Sequence, residues 1–270
     1  MTLKDITVII PMVDFSSENL ELLKKAVGSV PKECPIKLSI SDSNKMQTIE
    51  DALGKVPNKM DFVAVTEGAD TSFAAMVNRA VDTVETKWFS ILEYDDVYTE
   101  IWGKSAEEWM KAKDDVSVFM FLEDIYEWGT EKYLGFGNES VLASAFSEVI
   151  GYLDNEALQN FFDYYLTGSI FNVEDWKEVG ALKPLIKVTF WYEWLLRATK
   201  KGKKVFVVPR VGYRHNMGKK NSLTEIYKDS LGEDEIQWWF DLAKRDYFFK
   251  EMKDKEYYTY KPSENDEDEN

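Results

Sequence analysis

The sequence has 270 residues, 44% of them hydrophobic, which is enough apolar material for the core of a folded globular protein. Its formal net charge of −16 argues against a protein that grips a nucleic-acid backbone, because such binding relies on clustered lysine and arginine. The single cysteine, Cys34, excludes an internal disulfide and a cysteine-rich zinc site.

The N-terminal part of the chain alternates predicted strands with predicted helices. Runs of β-branched residues predict strands buried on both faces, and apolar residues at three- and four-residue spacing predict helices. The predicted elements are a strand at Ile6–Ile10 that stops at Pro11, a helix with Ser17 as N-cap, a strand at Ile36–Ser41, a helix at Thr48–Val56, a strand at Phe62–Val65, a helix at Ser72–Val84 and a strand at Trp88–Leu92. This order is typical of an α/β, Rossmann-like fold with a mixed, mostly parallel sheet flanked by helices.

The second half is less regular, and between Gly129 and Tyr152 no periodicity separates loops from short strands. Its predicted elements are a helix capped by the box Ser105–Glu108 and ending at Lys113, a strand at Val116–Leu122, helices at Asn155–Leu166, Val173–Val179 and Thr189–Thr199, a last strand at Lys203–Pro209 and an amphipathic helix at Glu233–Met252.

We expect a single domain over residues 1–232, an aromatic helical segment over 233–256, and an acidic, disordered tail over 257–270. No apolar run is long enough for a signal peptide or a membrane span, so we expect a soluble, cytoplasmic protein.

An acidic run, Glu93-Tyr94-Asp95-Asp96, directly follows the strand at Trp88–Leu92. In open parallel sheets, ligands bind beyond the carboxyl ends of the strands. Neighbouring carboxylates suit Mg²⁺ or Mn²⁺, and such a cation would neutralise a diphosphate. The alternative is a solvated acidic turn with no ligand.

Several segments, in this order, resemble a family 2 glycosyltransferase, an inverting enzyme of the GT-A fold, over roughly residues 4–216. Ile6–Pro11 is similar to the opening strand of that family with its proline, and Ser41-Asp42-Ser43 to the end of its second strand. Ala74–Ala80, centred on Asn78, resembles the helix before the metal strand. Leu92-Glu93-Tyr94-Asp95-Asp96 resembles the run that contains the DxD motif, with Glu93 in place of the first aspartate.

The resemblance implies a metal-dependent glycosyltransferase that moves a sugar from a nucleoside diphosphate sugar to the hydroxyl of an unknown acceptor, a saccharide or a protein. The residues it assigns to nucleotide-sugar binding are Pro11, Asp42, Asn78 and Asp96, and those it assigns to Mn²⁺ or Mg²⁺ are Glu93, Asp95 and His215. A lone histidine can equally be structural.

The sequence departs from the family at the expected catalytic base, because Phe190 and Trp191 stand where the family has a Glu-Asp pair. An inverting transfer needs a group that accepts the proton of the attacking hydroxyl. Glu193 is the nearest substitute, although a shift of two residues turns a helical side chain by about half a circle. An exposed helix charge is the favoured interpretation of Glu193. Glu174-Asp175 is out of register and is interpreted as a helix start.

Two other segments have alternative interpretations. Lys219-Lys220 lies either in a mobile loop over the diphosphate or in a solvated basic turn, and the turn is favoured. The aromatic groups Trp238-Trp239-Phe240 and Tyr247-Phe248-Phe249 offer either stacking surfaces for a sugar or packing surfaces. Packing on the domain or on a partner chain is favoured, and the second would make the protein an oligomer.

The alternative function is a GT-A-like binding or structural module that has lost catalysis. A nucleic-acid-modifying glycosyltransferase would need a basic groove that this sequence lacks.

Overall fold

The computed structural model describes residues 2–66, 68–142, 149–160, 164–220 and 222–247. The strands within these residues are β1 (Ile6–Met12), β2 (Ile36–Ile40), β3 (Met60–Ala64), β4 (Trp88–Ile91), β5 (Val97–Tyr98), β6 (Val118–Glu127), β7 (Tyr133–Gly137), β8 (Tyr152–Leu153), β9 (Ile170–Asn172) and β10 (Val205–Met217). The helices are α1 (Ser17–Ser29), α2 (Met46–Leu53), α3 (Phe73–Asp82), α4 (Trp102–Ala112), α5 (Asn155–Asn160), α6 (Val173–Val179), α7 (Phe190–Lys200), α8 (Leu223–Ser230) and α9 (Glu233–Tyr247).

The strands form one mixed sheet in the order β3-β2-β1-β4-β9-β6-β10-β5, with β7 paired to β6 and β8 paired to β10. Strands β3, β2, β1 and β4 are parallel to one another, and β6 is parallel to β10. The short strand β9 lies antiparallel between β4 and β6. The carboxyl ends of six strands therefore lie at the same edge of the sheet, namely those of β1, β2, β3, β4, β6 and β10. The prediction of a mostly parallel mixed sheet is confirmed.

Each face of the sheet is covered by helices, so the protein has three layers. Alternating side chains of a strand enter opposite cores: Ile9 contacts the core of α3, α6 and α7, whereas Val8 and Ile10 contact the core of α1, α2 and α4. All residues of β1 are buried, as predicted for a strand covered on both faces. Each fully buried aliphatic side chain stabilises the fold by roughly 1.5–3 kcal/mol.

Pro11 does not end the first strand, which continues to Met12. The N–H of Leu92 donates to the carbonyl of Ile9, and β4 leaves the pairing at this point. The missing N–H of Pro11 points to that side of β1, so the sheet loses no hydrogen bond there. At the following helix the N-cap is Ser16, whose hydroxyl accepts the N–H of Asn19, rather than the predicted Ser17.

The predicted capping box at Ser105 is wrong, because α4 already begins at Trp102 and Ser105 is buried inside it. The indole N–H of Trp102 donates to the carbonyl of Gly168 at 3.0 Å, and its ring stacks on Tyr98. Tertiary packing of this tryptophan therefore sets the start of the helix in place of a local cap.

Strands β6 and β10 both extend beyond their predicted ends. Pairing of β10 with β6 shifts register between Val208 and Val211, which accommodates Pro209, and then continues through His215 to Met217. The segment that lacked periodicity contributes β7 and β8, which add to this part of the sheet. The described part of helix α5 is Asn155–Asn160, and residues 161–163 lie outside the described residues. Residues 164–166 are not helical, so the predicted end at Leu166 is wrong.

Helix α9 packs against α7, with Phe240 lying 5.4 Å from Tyr192 between ring centroids and Ala243 buried. Trp238 on the same helix is exposed. The last part of the predicted helix, residues 248–252, and the acidic tail at 257–270 lie outside the described residues. In the part of the chain that is described, no helix combines the length and apolar character needed to cross a membrane.

Candidate functional site

The acidic turn, defined as Glu93–Asp96, follows β4 at the carboxyl edge of the sheet. The N–H of Asp96 donates to the carbonyl of Glu93 at 3.2 Å and closes the turn. Asp96 is 1% exposed, and the side chain of Asp95 is 10% exposed. The alternative of a solvated acidic turn is therefore wrong.

Asp96 is held by three groups from the end of β10. The hydroxyl of Tyr213 donates to Oδ2 at 2.8 Å, and Nδ1 of His215 lies 3.0 Å from the same oxygen. The backbone N–H of Asn216 donates to Oδ1 at 2.7 Å. The strand alternation that puts Tyr213 and His215 on one face of β10 brings both side chains to this carboxylate.

Glu93 is held from a different direction, by Tyr165, whose hydroxyl donates to Oε1 at 2.6 Å. Asn138 fixes the backbone of Tyr165, because its Nδ2 donates to the Tyr165 carbonyl and its Oδ1 accepts the Tyr165 N–H, both at 2.9 Å. Nδ2 of Asn138 also donates to the carbonyl of Phe121 in β6. Asn138 has a positive φ of 66°, a conformation that asparagine adopts more readily than most residues.

Asp95 faces the ammonium group of Lys219. Nζ of Lys219 lies 3.4 Å from Oδ2 of Asp95, and it donates to Oδ1 of Asn19 at 2.7 Å and to the hydroxyl of Tyr94 at 3.1 Å. The amide of Asn216 donates to the Asp95 carbonyl at 2.6 Å. Lys219 is 8% exposed, so the solvated-turn interpretation is wrong for Lys219, whereas Lys220 is exposed.

Crowding of carboxylates shifts the protonation equilibria of this site. Burial, and after it the charges of Asp96 and Asp95, raise the pKa of Glu93 to about 8. Burial, followed by the charge of Asp96, raises the pKa of Asp95 to about 6. Burial lowers the pKa of His215, but the Asp96 carboxylate outweighs burial, and the pKa rises to about 9. At neutral pH Glu93 therefore keeps its proton, and His215 is positively charged beside Asp96.

The turn opens into a cavity of about 310 Å³, here called the acidic cavity. Its walls carry six carboxylates and one histidine, and no lysine or arginine of the described residues lines it. The charged lining residues are Glu93, Asp95, Asp96, Glu123, Glu139, Glu225 and His215. Such a wall attracts cations and repels a bare anion.

The structure thus brings together four of the residues selected from the sequence, Glu93, Asp95, Asp96 and His215. The other three residues assigned to the nucleotide sugar or the metal do not line the cavity. Asp42 follows β2 at the same edge of the sheet, where its Oδ1 accepts the N–H of Asn44 at 2.9 Å. Pro11 is buried in β1. Asn78 bonds through its amide to both the N–H and the carbonyl of Leu182.

Glu193 lies elsewhere and is not the exposed helix charge that was favoured. It is 2% exposed and forms ion pairs with Lys183 at 2.7 Å and with Arg197 at 2.9 Å. It borders a separate, mainly apolar pocket between the loop that contains Leu182 and helix α9, whose Trp239 lines it. Glu193 is therefore locked in a structural ion-pair cluster.

The acid pair Glu174-Asp175 lies at the start of a helix, as predicted. Glu174 and Asp175 occupy the first turn of α6, where their backbone N–H groups both donate to Oδ1 of the N-cap Asn172. Lys203 forms ion pairs with Asp175 and Glu178. The interpretation as a helix start is confirmed.

Sequence reasoning missed Glu123, Asn138, Tyr165 and Tyr213. Only Tyr213 had a local signal, its two-residue spacing from His215, and that signal required a strand that continued past Pro209. The contacts of Tyr165 and Asn138 involve residues far away in sequence and leave no periodic pattern.

The expected metal ligands do not converge. Among the residues that the structure describes, no group of three or more His, Cys, Asp or Glu side chains is arranged to hold a metal ion. Glu93 is directed to Tyr165, Asp95 to Lys219 and His215 to Asp96. Mg²⁺ and Mn²⁺ require several oxygen ligands around one point, so this arrangement does not fit a preformed site for either ion.

The sheet order and the acidic turn after β4 define a GT-A fold, the fold of nucleotide-sugar glycosyltransferases. No family model matches the sequence, and no curated protein matches it. Solved structures do match, and they are GT-A glycosyltransferases, a broader class than family 2.

Residues 1–349 of S. aureus TarS in complex with UDP-GlcNAc superpose with a TM-score of 0.61 and 14% identity, over 93% of this chain and 68% of that chain. The mannosyltransferase PcManGT from Pyrobaculum calidifontis, in complex with GDP-Man and Mn²⁺, gives a TM-score of 0.62 and 12% identity, over 90% of this chain and 64% of that chain. The chain spans 60% of a second structure of TarS 1–349 and 43% of the longer TarS chain. At these identities the similarity concerns the fold.

Proposed function

We propose that the protein is a glycosyltransferase that binds a nucleoside diphosphate sugar at the carboxyl edge of the sheet and transfers the sugar to an acceptor hydroxyl. The observation that supports this most is the acidic turn, whose buried carboxylates are fixed by β10 and open into the acidic cavity of a GT-A fold. Perturbed carboxylates beside a cavity are typical of functional sites.

The nucleotide is proposed to lie over the ends of β1 and β2, with Asp42 recognising the base. Asp42 is partly exposed at that edge, and its local turn with Asn44 holds the carboxylate in place. The structural neighbours were solved with UDP-GlcNAc and with GDP-Man, so both are suitable first donors to test. The sugar would then extend towards the acidic cavity.

For an inverting transfer, the acceptor oxygen attacks the anomeric carbon, the bond from that carbon to the diphosphate breaks, and a base takes the hydroxyl proton. Glu193 is outside the acidic cavity, so we propose Glu123 as the base. It is 2% exposed, lines the cavity and lies 3.4 Å from Nδ2 of Asn138. No step is assigned to a metal, because the expected ligands do not converge.

The direct test is calorimetric titration of the full chain with UDP, GDP, ADP and CDP, followed by assays of transfer and hydrolysis with the matching nucleotide sugars. We expect one nucleotide to bind and E123Q to lower kcat by about 100-fold or more without a matching change in donor affinity. Glu139, which is exposed at the rim of the same cavity, supplies the control variant E139Q. Failure of every nucleotide to bind would overturn the proposal.

A second candidate function is a GT-A-like module that binds the nucleotide without turnover. The observation in its favour is the packing of Phe190 and Trp191, which replace the acid pair of the family. Phe190 stacks on Phe73 with centroids 5.4 Å apart, and Trp191 is buried. Nucleotide binding by a chain that neither hydrolyses nor transfers any donor sugar would favour this module over the enzyme.

A further inference from the structure

The proposed donor site has two parts at the same edge of the sheet. The nucleotide side lies at the ends of β1 and β2, and the acidic cavity lies at the ends of β4, β6 and β10. Strands β1 and β4 are direct neighbours in the sheet. A diphosphate that connects a nucleotide on one side to a sugar on the other must cross the boundary between these two strands.

Lys219 lies at this crossing. Its Nζ contacts Asn19 of α1, the helix that follows β1, and also contacts Tyr94 and Asp95 of the acidic turn that follows β4. Two of these three partners are neutral. The distance to the third, Asp95, is 3.4 Å, which is longer than an ordinary charged hydrogen bond. The ammonium therefore bridges the two halves of the edge without a close carboxylate contact.

A diphosphate needs positive charge at this point, because the ionised carboxylates of the cavity wall repel it. A divalent ion would ordinarily supply that charge. Here the three expected ligands are directed to separate partners, and one of those partners is Lys219 itself.

We infer that the ammonium of Lys219 receives the diphosphate of the donor and takes the place of a divalent cation, so that donor binding does not require a metal. This inference rests on the proposed function, since it assumes a nucleoside diphosphate sugar at this edge. The diphosphate would bind to Nζ at the boundary between β1 and β4, next to the acidic cavity, and would exchange with the contact to Asp95.

The first experiment is calorimetric titration of the full chain with UDP and with GDP, in the presence of EDTA and in the presence of Mn²⁺. We expect the Kd of the nucleotide that binds to agree within about threefold between the two conditions, which is less than 1 kcal/mol. K219Q should weaken binding by about tenfold or more, and K219R should retain more affinity because it keeps the charge. K220Q changes the exposed neighbour and is the matched control, with an unchanged Kd.

The variant D95N distinguishes most clearly whether a divalent metal ion or the ammonium of Lys219 holds the diphosphate. If a metal held the diphosphate, loss of the Asp95 carboxylate would weaken binding strongly. If Lys219 holds it, D95N removes the carboxylate that competes for the ammonium, and binding is retained or becomes tighter.

The outcomes are distinguishable. Absence of binding by every nucleoside diphosphate overturns the proposed function and this inference with it. Binding that is lost in EDTA, a folded K219Q with unchanged Kd, or a strong loss in D95N overturns the inference and leaves the proposed function standing. Circular dichroism of K219Q establishes whether it folds, and if it does not, the EDTA titration and D95N still decide.

Discussion

Asp96 and Glu193 are both almost fully buried carboxylates, at 1% and 2% exposure, yet they belong to different kinds of site. Glu193 faces two full cations, Arg197 four residues along the same helix and Lys183. Asp96 is bonded by a tyrosine hydroxyl, a histidine and a backbone N–H that come from the end of β10. The difference is that Glu193 is paired with two cations, whereas Asp96 is paired with one histidine and lies in a turn with two further carboxyl groups, Glu93 and Asp95.

Burial alone therefore does not distinguish a functional carboxylate from a structural one. A buried acid with dedicated cations is explained by stability, since breaking such a pair leaves an unpaired charge. A buried acid that raises the pKa of its neighbours and borders an acidic cavity has no such explanation and indicates a ligand.

We expect the greatest loss of stability from a substitution at Gly168, which tests whether the Asp96 site depends on distant packing. Gly168 has φ of +81°, and an added Cβ would clash with the ring of Tyr213, whose hydroxyl bonds Asp96. G168A should therefore destabilise the protein by about 3 kcal/mol, through overpacking and backbone strain together. Denaturant unfolding measures this, and nucleotide binding should weaken in the folded fraction.

Gly202 provides the matched control, because it has φ of +75° but no atom within 4 Å of an added Cβ. G202A should lose only the backbone contribution, about 1 kcal/mol. Equal losses in the two variants would show that the contact between residue 168 and Tyr213 contributes nothing.

The substitution E193Q tests whether Glu193 has a structural role. E193Q removes the charge shared by Arg197 and Lys183 and should lower the free energy of unfolding by about 2 kcal/mol. Because Glu193 borders a different pocket, kcat and donor affinity measured well below Tm should stay unchanged. A loss of kcat in folded E193Q would instead restore it as the catalytic base.

Glu178 supplies the comparison for E193Q, because it also pairs with a lysine, Lys203, but its side chain is 62% exposed. E178Q should change stability by less than about 1 kcal/mol. A larger loss in E178Q than in E193Q would contradict the distinction between buried and exposed pairs.

The smallest effect concerns protons at the acidic turn. The pKa of Glu93 is raised from 4.5 to about 8, so folded protein keeps a proton between these values that the unfolded chain releases. Stability contributed by this group is present below pH 4.5 and is lost as the pH rises through about 8. His215, raised from 6.5 to about 9, acts in the same direction in the window between those values. We expect Tm to fall as the pH is raised from neutral to about 8.

E93Q cannot exchange this proton, so its stability should fall by about 1 kcal/mol less per pH unit near pH 8 than that of the wild type. Thermal melts of both proteins over the same pH series measure the difference. Parallel curves for the two proteins would contradict the raised pKa of Glu93.

Local sequence patterns were sufficient for the framework of the fold. Strands β1 and β4 are short β-branched or aromatic runs buried on both faces, and α3 shows its buried face as an uninterrupted apolar period. The acidic turn could be placed because it directly follows one of these strands.

Local patterns failed where tertiary contacts decide. Trp102 starts α4 by bonding Gly168, so the capping box at Ser105 has no effect. Strand β10 continues past Pro209 because β6 and β5 pair with its second half, and neither partner is adjacent in sequence. Lys219 is buried by a contact with Asn19 from the opposite end of the chain.

The distance in sequence between Asp96 and its donors also sets an order of assembly during synthesis. Tyr213, His215 and Asn216 follow Asp96 by 117, 119 and 120 residues. Contacts of such separation form after local ones, because the intervening chain must first be ordered. Until β10 has been translated, Asp96 lacks these three partners, and we expect its carboxylate to stay hydrated. We therefore expect the edge formed by β1 and β2, where we propose that the nucleotide binds, to form first on the ribosome, and the acidic cavity to be completed only after β10 has been translated.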